Sequence, residues 1–298
     1  MLLSEIFKDA PAVLIKNLMS DSRKKTQRGL FFCLKGMTFD GHKFIDQAIE
    51  NGAVAIVYSD PLPDKQEGIT YIQVKDVLAT LNQVANTFYL KPSSQLDVYG
   101  VTGTNGKSTV ATLIHYFNSQ FTTSGYIGTI GIEIGDKKQP ALLTTPDIID
   151  LQRTLSEMVK DSVSTVALEV SSIGLEQHRV DAIDFNVAIF TNLTHDHLDY
   201  HGTMDNYFRA KAKLFELLDT EGLAIVNLDD AYAQGIIDYS NAPVCTYGIE
   251  SEADFIIDDI ELSAKGTSFS LTNHKTEEKI TIETNLVAQF NVMNLTAA

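Results

Sequence analysis

The chain is poor in cysteine, poor in positive charge and free of long apolar runs, and each shortage closes off a class of function. Only Cys33 and Cys245 are present, too few for a disulfide framework, which fits a reducing cytosol. Lysine and arginine number 23 against 39 aspartates and glutamates, leaving a formal net charge of −16. Nucleic acids and anionic membranes are bound through basic faces, so neither is an expected partner. Any phosphate must therefore be held by local features rather than by the overall field. No apolar run approaches the ~20 residues of a membrane span. The start, Met1-Leu2-Leu3-Ser4-Glu5-Ile6, lacks the basic and apolar regions of a signal peptide. Internal repeats and low-complexity tracts are also missing. A soluble, cytoplasmic chain of about two domains is expected, and its 44% hydrophobic content is ample for buried cores.

Residues 30–34 (Leu-Phe-Phe-Cys-Leu) and 53–58 (Ala-Val-Ala-Ile-Val-Tyr) are apolar runs of strand length. Between them, His42 to Asn51 has helical spacing and is closed by Gly52. This βαβ unit predicts a small α/β domain over residues 1–92. Pro92-Ser93-Ser94-Gln95 reads as a linker. In a second domain, 97–298, strands are predicted at 97–101, near 125–130, and at 164–170, 186–191 and 223–227. Helices are predicted at 107–118, 147–160 and 205–218. Such alternation predicts an α/β fold with a doubly wound parallel sheet. Residues 254–286 alternate in short strands and predict a β excursion. Gln289 to Ala298 reads as the opening turns of a helix with no stop signal, so a chain truncated at that end is expected.

The run from Gly100 to Thr109, Gly-Val-Thr-Gly-Thr-Asn-Gly-Lys-Ser-Thr, joins the predicted strand 97–101 to the helix that follows. A glycine-rich turn at a helix N-terminus gathers backbone N–H groups and the positive end of the helix dipole at one point. Lys107 can reach terminal phosphates and the Ser108 hydroxyl can hold magnesium, which makes the run a nucleoside-triphosphate cradle. One departure stands out: the usual pattern has glycine where Val101 lies, and the glycines fall at 100, 103 and 106.

Three features follow the loop. Glu169 closes the apolar run Val166-Ala167-Leu168; it is either a magnesium ligand or an exposed carboxylate at a strand end. Thr194-His195-Asp196-His197-Leu198-Asp199-Tyr200-His201 is either part of a metal site or a polar loop of satisfied histidines, and its spacing is not that of usual zinc sites. On the predicted helix 205–218, Tyr207, Leu214, Phe215 and Leu218 form an apolar stripe with Lys211 at its centre, while Arg209 and Lys213 lie opposite. A lysine there must snorkel, pair or change chemically.

Taken together, Gly-Thr-Asn-Gly-Lys-Ser-Thr (103–109), Thr-Thr-Pro-Asp (144–147), Glu-Val-Ser-Ser (169–172) and Asn-Leu-Thr-His-Asp-His-Leu-Asp-Tyr-His-Gly (192–202) resemble the Mur ligases. Ala-Lys-Ala-Lys-Leu-Phe (210–215) and Phe-Asn-Val-Met-Asn (290–294) extend the resemblance over essentially the whole chain. Asp21-Ser22-Arg23 and His-Leu-Asp-Tyr-His-Gly most resemble the branch that adds the third amino acid of the peptidoglycan stem peptide. The resemblance implies an ATP-dependent ligase of cell-wall precursor synthesis, and a monomer is expected. ATP would be bound by Gly103, Thr104, Asn105, Gly106, Lys107, Ser108 and Thr109, with Asn227, Asn291 and Asn294 near its adenine and ribose. Ser108 and Glu169 would hold one magnesium ion, and His197 and Lys211 a second. Lys211 resembles the family's carbamylated lysine (N6-carboxylysine), whose anionic oxygens suit magnesium.

On the substrate side, Ser22 and the loop Gly36-Met37-Thr38 would meet the uridine end of UDP-N-acetylmuramoyl-L-alanyl-D-glutamate. Thr144, Thr145, Ser171, Gln177 and Arg179 would hold its muramoyl-dipeptide end. Two departures from the family pattern are present. His178 is bulkier than expected between Gln177 and Arg179, and no match is found to the third domain, which takes the incoming amino acid, L-lysine or meso-diaminopimelate. The implied reaction passes through an acyl phosphate, which needs positioning and charge neutralisation rather than a nucleophilic side chain. Alternatives are an ATP-binding module without ligase activity, an enzyme like folylpolyglutamate synthetase (which lacks a counterpart of residues 1–90), and a metallohydrolase built on His195 to His201.

Overall fold

The computed structural model describes residues 1–36 and 39–298. Two compact units are present: Met1–Pro92 with Asp147–Ser156, and Ser93–Pro146 with Glu157–Ala298. The residues Pro92–Gln95, expected to be a linker, form a 3-10 turn. Ser93 is buried, and its hydroxyl donates to Asp184 at 3.2 Å. Pro92 and Ser93 are buried, whereas Ser94 and Gln95 are exposed.

The first unit holds a four-stranded parallel sheet in the order β1-β2-β3-β4, namely Asn17–Met19, Gly29–Phe32, Ala53–Tyr58 and Thr70–Gln73. Strands β2 and β3 are apolar at nearly every position because both faces of the sheet are covered. Leu30 and Phe32 pack with Leu81 and Val84 of the helix Val77–Phe88, while Phe31 and Ile56 pack with Ala48 on the other face. The segment expected to be helical from His42 opens instead as a 3-10 turn, Gly41–Phe44, and becomes α-helical only over Ile45–Glu50. Asp40 accounts for this, since its carboxylate accepts the His42 N–H and tightens the first turn. Gly52, at φ 101°, ends the helix.

The second unit is built on one eleven-stranded sheet. Its strands are β5 Asp97–Thr102, β6 Ser124–Gly128, β7 Gly131–Ile134, β8 Lys137–Gln139, β9 Thr165–Glu169 and β10 Val187–Phe190. Strands β11 Leu223–Asn227, β12 Val244–Gly248, β13 Phe255–Ser263, β14 Gly266–Asn273 and β15 Lys279–Thr284 follow. In space β13-β12-β11-β10-β5-β9-β6 is a parallel block, and antiparallel strands extend it at both edges. The excursion expected over 254–286 is therefore an extension of the main sheet, and the β7–β8 hairpin is an addition that the sequence pattern did not announce.

Strand order reverses about β5, which lies between β9 and β10. In open α/β sheets a ligand site forms at the carboxyl ends of the strands beside such a switch point. The helix Lys107–Ser119 leaves that end of β5 and buries Val110 and Ile114 against Val101, Ala167 and Ile189. The helix Met204–Glu216 starts at Thr203, whose hydroxyl accepts the Asn206 N–H. Tyr207, Lys211, Leu214 and Phe215 are buried, whereas Arg209 is exposed and Lys213 pairs with Glu176 at 2.9 Å. The terminal segment forms the helix Gln289–Ala297. Among the described residues, no helix is long and apolar enough to cross a membrane.

Candidate active site

The loop between β5 and the helix Lys107–Ser119 is shaped partly by its own glycines and partly by the end of β10. Gly106 caps the helix at φ 88°, and a Cβ there would run into the Asn294 side chain. Only glycine meets both conditions without strain. Across the loop, the Asn192 side chain grips one residue by its backbone. Its Oδ1 accepts the Asn105 N–H at 2.9 Å, and its Nδ2 donates to the Asn105 carbonyl at 3.1 Å. Thr191 Oγ1 donates to the same carbonyl at 2.6 Å. Thr104 Oγ1 accepts the Thr194 N–H at 2.9 Å and lies 3.2 Å from the Tyr207 hydroxyl. The first-turn amides, which have no partner within the helix, are thus left at a fixed place with the helix dipole behind them.

Two lysines meet at this loop. Lys107 Nζ donates to the carbonyls of Gly103 (2.9 Å) and Thr104 (3.0 Å), and Lys211 Nζ donates to the same Gly103 carbonyl at 2.7 Å. Lys211 is 1% exposed, so it does not snorkel to solvent. Its amine lies 4.5 Å from the centre of the Tyr207 ring. Burial lowers the pKa of Lys107 despite the opposing charges of Glu169 and Asp196. The Lys211 amine falls well below the ordinary lysine range, first through burial and then through repulsion by Lys107, with Asp196 opposing. Two amines on one carbonyl form a site that calls for an anion.

Beside them stands Glu169, fully buried at the end of β9. This removes the alternative of an exposed strand-end carboxylate. Ser108 Oγ donates to its Oε2 at 2.9 Å, as does Thr129 Oγ1 at 3.2 Å. The Thr129 N–H donates to Oε1 at 3.0 Å, and the Tyr126 hydroxyl donates to Oε1 in a short contact. Burial, and then the Glu169 carboxylate, push the Tyr126 phenol above its usual range. Ser108 Oγ and Glu169 Oε2 are hard oxygens at hydrogen-bond separation, a donor pair that suits magnesium.

The histidines divide their tasks. His197 adopts a left-handed backbone at φ 51° ahead of the short helix Leu198–His201. Its Nε2 lies 3.6 Å from Asp196 Oδ2, and its ring stands edge-on to Tyr207, with 6.2 Å between centres. Tyr207 thus has His197 and Lys211 as neighbours. His195 is exposed. His201 is buried, lies 3.0 Å from Ser172 Oγ, and has a lowered pKa because of that burial. His201 also lies against Tyr207, with 5.1 Å between ring centres; among the described residues the three histidines do not bring their ring nitrogens together as one metal-binding group. Among the described residues, the group of potential metal-binding side chains that comes together is Asp40, His42 and Asp60, in the other unit. The metallohydrolase alternative has no geometric support.

The remaining expected residues fall into small networks. Thr145 Oγ1 donates to the Glu169 carbonyl and accepts the Ser171 N–H, both at 2.9 Å, and Thr144 Oγ1 lies 3.0 Å from Thr129 Oγ1. Arg179 donates to the Thr145 carbonyl at 2.7 Å and to Gln177 at 2.6 Å. His178, at φ 57°, places its Nδ1 2.6 Å from Asp181 Oδ2. Asn227 donates to the Thr191 carbonyl at 2.8 Å, and Asn294 lies against Gly106 and 3.4 Å from Asn291. In the first unit Ser22 Oγ donates to Gln47 at 2.7 Å. Met37 and Thr38 lie outside the described residues. Sequence reasoning missed Tyr126, Thr129 and the side-chain grip of Asn192. Asn192 at least stood inside a conspicuous motif, whereas Tyr126 looked like any aromatic residue in a strand.

A model of the Mur ligase middle domain matches residues 101–298, and one of the Mur ligase family catalytic domain matches residues 14–89. The UDP-N-acetylmuramoyl-L-alanyl-D-glutamate–2,6-diaminopimelate ligase of Geobacillus thermodenitrificans is 44% identical over 94% of this chain and 58% of its own length. The protein of the same name in Halalkalibacterium halodurans is 42% identical over 95% of this chain and 58% of its own length. A solved structure bearing that name aligns with a TM-score of 0.84 at 30% identity, covering 100% of this chain and 62% of that one. The chain therefore spans less than two thirds of the relatives it matches.

Proposed function

Because this chain belongs to the Mur ligase family, we propose that it supplies the nucleotide- and UDP-substrate-handling parts of a ligase. That ligase joins 2,6-diaminopimelate to UDP-N-acetylmuramoyl-L-alanyl-D-glutamate at the expense of ATP. The relatives' names support this choice of amino acid over lysine. The observation that carries the reading is the meeting of Lys107 and Lys211 on the Gly103 carbonyl, at a helix N-terminus, with the Ser108–Glu169 pair one residue along. That arrangement offers positive charge and fixed donors where phosphates would lie. The match of residues 14–89 to a Mur ligase model weighs against the folylpolyglutamate alternative.

In the reaction, an oxygen of the D-glutamate carboxylate attacks the γ-phosphorus of ATP and the bond to ADP breaks. The amine of the incoming amino acid then attacks the acyl carbon, loses a proton, and expels phosphate. Lys107 and the amides of Gly103 to Thr109 would offset the charge on the phosphates and hold them in line. Asn227, Asn291 and Asn294 would hold the nucleoside. Residues 1–92 would bind the uridine end through Ser22, Met37 and Thr38. Thr144, Thr145, Ser171, Gln177 and Arg179 would orient the dipeptide end. The lowered pKa of Lys211 raises the share of neutral amine, the form that attacks carbon dioxide, and loss of a proton then gives the carbamate. Ser108, Glu169, His197 and the carbamylated Lys211 would hold magnesium, which supplies charge neutralisation at the phosphoryl oxygens. A cytoplasmic monomer fits this role.

The test is ATP-dependent phosphate release with the UDP-muramoyl-dipeptide and either diaminopimelate or lysine. Release should require the UDP substrate and prefer diaminopimelate. Release independent of the UDP substrate would overturn the reading. A second reading is a nucleotide-binding module without ligation. It predicts nucleotide binding with no release.

A further inference from the structure

The two oxygens of Glu169 have different surroundings. Oε1 accepts from the Tyr126 hydroxyl and from the Thr129 N–H, while Oε2 accepts from the hydroxyls of Ser108 and Thr129. A hydroxyl can turn its proton away and offer a lone pair to a cation. A backbone N–H cannot, and a phenol buried in the core has little room to do so. Tyr126 is 1% exposed, and its strand neighbour Gly128 brings the backbone so close that a Cβ there would collide with both Glu169 Oε1 and the Tyr126 hydroxyl. The carboxylate is therefore clamped by one oxygen and offers the other.

From this asymmetry we infer that Tyr126 is a positioning residue that makes Glu169 a one-oxygen metal ligand and so favours magnesium over calcium. The inference rests on the magnesium reading above and extends it to the choice of ion. Calcium readily takes a carboxylate through both oxygens and accepts a loose, high coordination number. Magnesium demands a compact octahedral set and is usually met by single carboxylate oxygens. A carboxylate whose second oxygen is already committed suits the smaller ion.

The test measures Mg2+, Mn2+ and Ca2+ affinities by calorimetry and by manganese electron paramagnetic resonance, with a non-hydrolysable ATP analogue bound to the full chain. Wild type should prefer magnesium to calcium. Tyr126→Phe should narrow that preference by about fivefold or more, the equilibrium equivalent of one hydrogen bond. The narrowing should come mainly from tighter calcium, with metal-free nucleotide affinity unchanged. Urea unfolding of the variant confirms that it is folded. An unchanged ion preference in the folded variant would overturn the role given to Tyr126. A wild-type chain that binds nucleotide but takes up no divalent cation would overturn the magnesium reading itself.

Discussion

Replacing Lys211 by methionine should stabilise the protein while abolishing the proposed activity. The wild-type amine is 1% exposed and donates one visible hydrogen bond, to a Gly103 carbonyl that already accepts from Lys107. In its favour stand a charge-assisted hydrogen bond of about 1.5–3 kcal/mol and a cation–π contact of at most about 2 kcal/mol. Against it stand a desolvation penalty of several kcal/mol and the repulsion of Lys107. Methionine keeps the unbranched stem, fills the slot beside Tyr207 and leaves the carbonyl its bond to Lys107. The expected gain for Lys211→Met is about 1–3 kcal/mol at pH 7, or a rise in Tm of the order of 5 °C.

The pH dependence sharpens this test. The native amine gives up its proton at a lower pH than an unfolded lysine does. Between those two values the unfolded chain binds the extra proton, so wild-type stability climbs with pH. The penalty is complete below the native pKa and disappears above about 10.4, the unfolded value. Thermal unfolding of both proteins in carbonate-free buffer from pH 6 to 10 should show curves that converge as pH rises. Added bicarbonate should then shift the wild type alone. A variant less stable than wild type across this range, or curves that run parallel, would refute the picture of a strained buried amine.

Gly106→Ala should cost roughly 1–3 kcal/mol of backbone strain and push Asn294 aside. Fluorescent nucleotide binding should then be lost, and an unchanged urea midpoint would show that the loop relaxes freely. The two thiols should differ in reactivity: burial pushes the Cys33 thiol up to about 12, and Cys245, only partly buried, is raised less. Ellman's reagent should therefore label Cys245 in the native chain and Cys33 only after unfolding; two equally fast thiols would contradict the buried β2 core. Arg23 holds the Asp21 carboxyl down at about 2, chiefly through their side-chain hydrogen bond. That stabilisation is present above the unfolded value near 3.9 and is lost as pH falls through about 2. Arg23→Ala should return the Asp21 titration, followed by NMR, toward the unfolded value. The effect on stability should be slight because the pair is solvated.

The elements that the sequence announced are those whose signal is local. Gly106 marks a positive φ, Gly52 ends a helix, and Lys211 lies on an apolar stripe at helical spacing. Each can be read from a few neighbouring residues. The β7–β8 hairpin was hidden because its strands are short and β8 is exposed throughout, so no apolar run marks it. The 3-10 opening at Gly41–Phe44 depends on one aspartate side chain that periodicity ignores. At the site the same division holds. Lys107 and Ser108 were legible from spacing, and Glu169 from its place after an apolar run. That Oε1 of Glu169 belongs to Tyr126 arises from the adjacency of β6 and β9, strands separated by nearly forty residues of chain. No pattern within one segment encodes it.

The grip of Asn192 on the Asn105 backbone also governs what can be moved between proteins. Residues 97–119 look like a portable cassette, a strand, a loop and a helix with every glycine in place. Their loop nevertheless takes its shape from Thr191 and Asn192, some ninety residues downstream. Grafted into another sheet without the end of β10 alongside, the cassette would carry the right letters and lose the loop shape they spell.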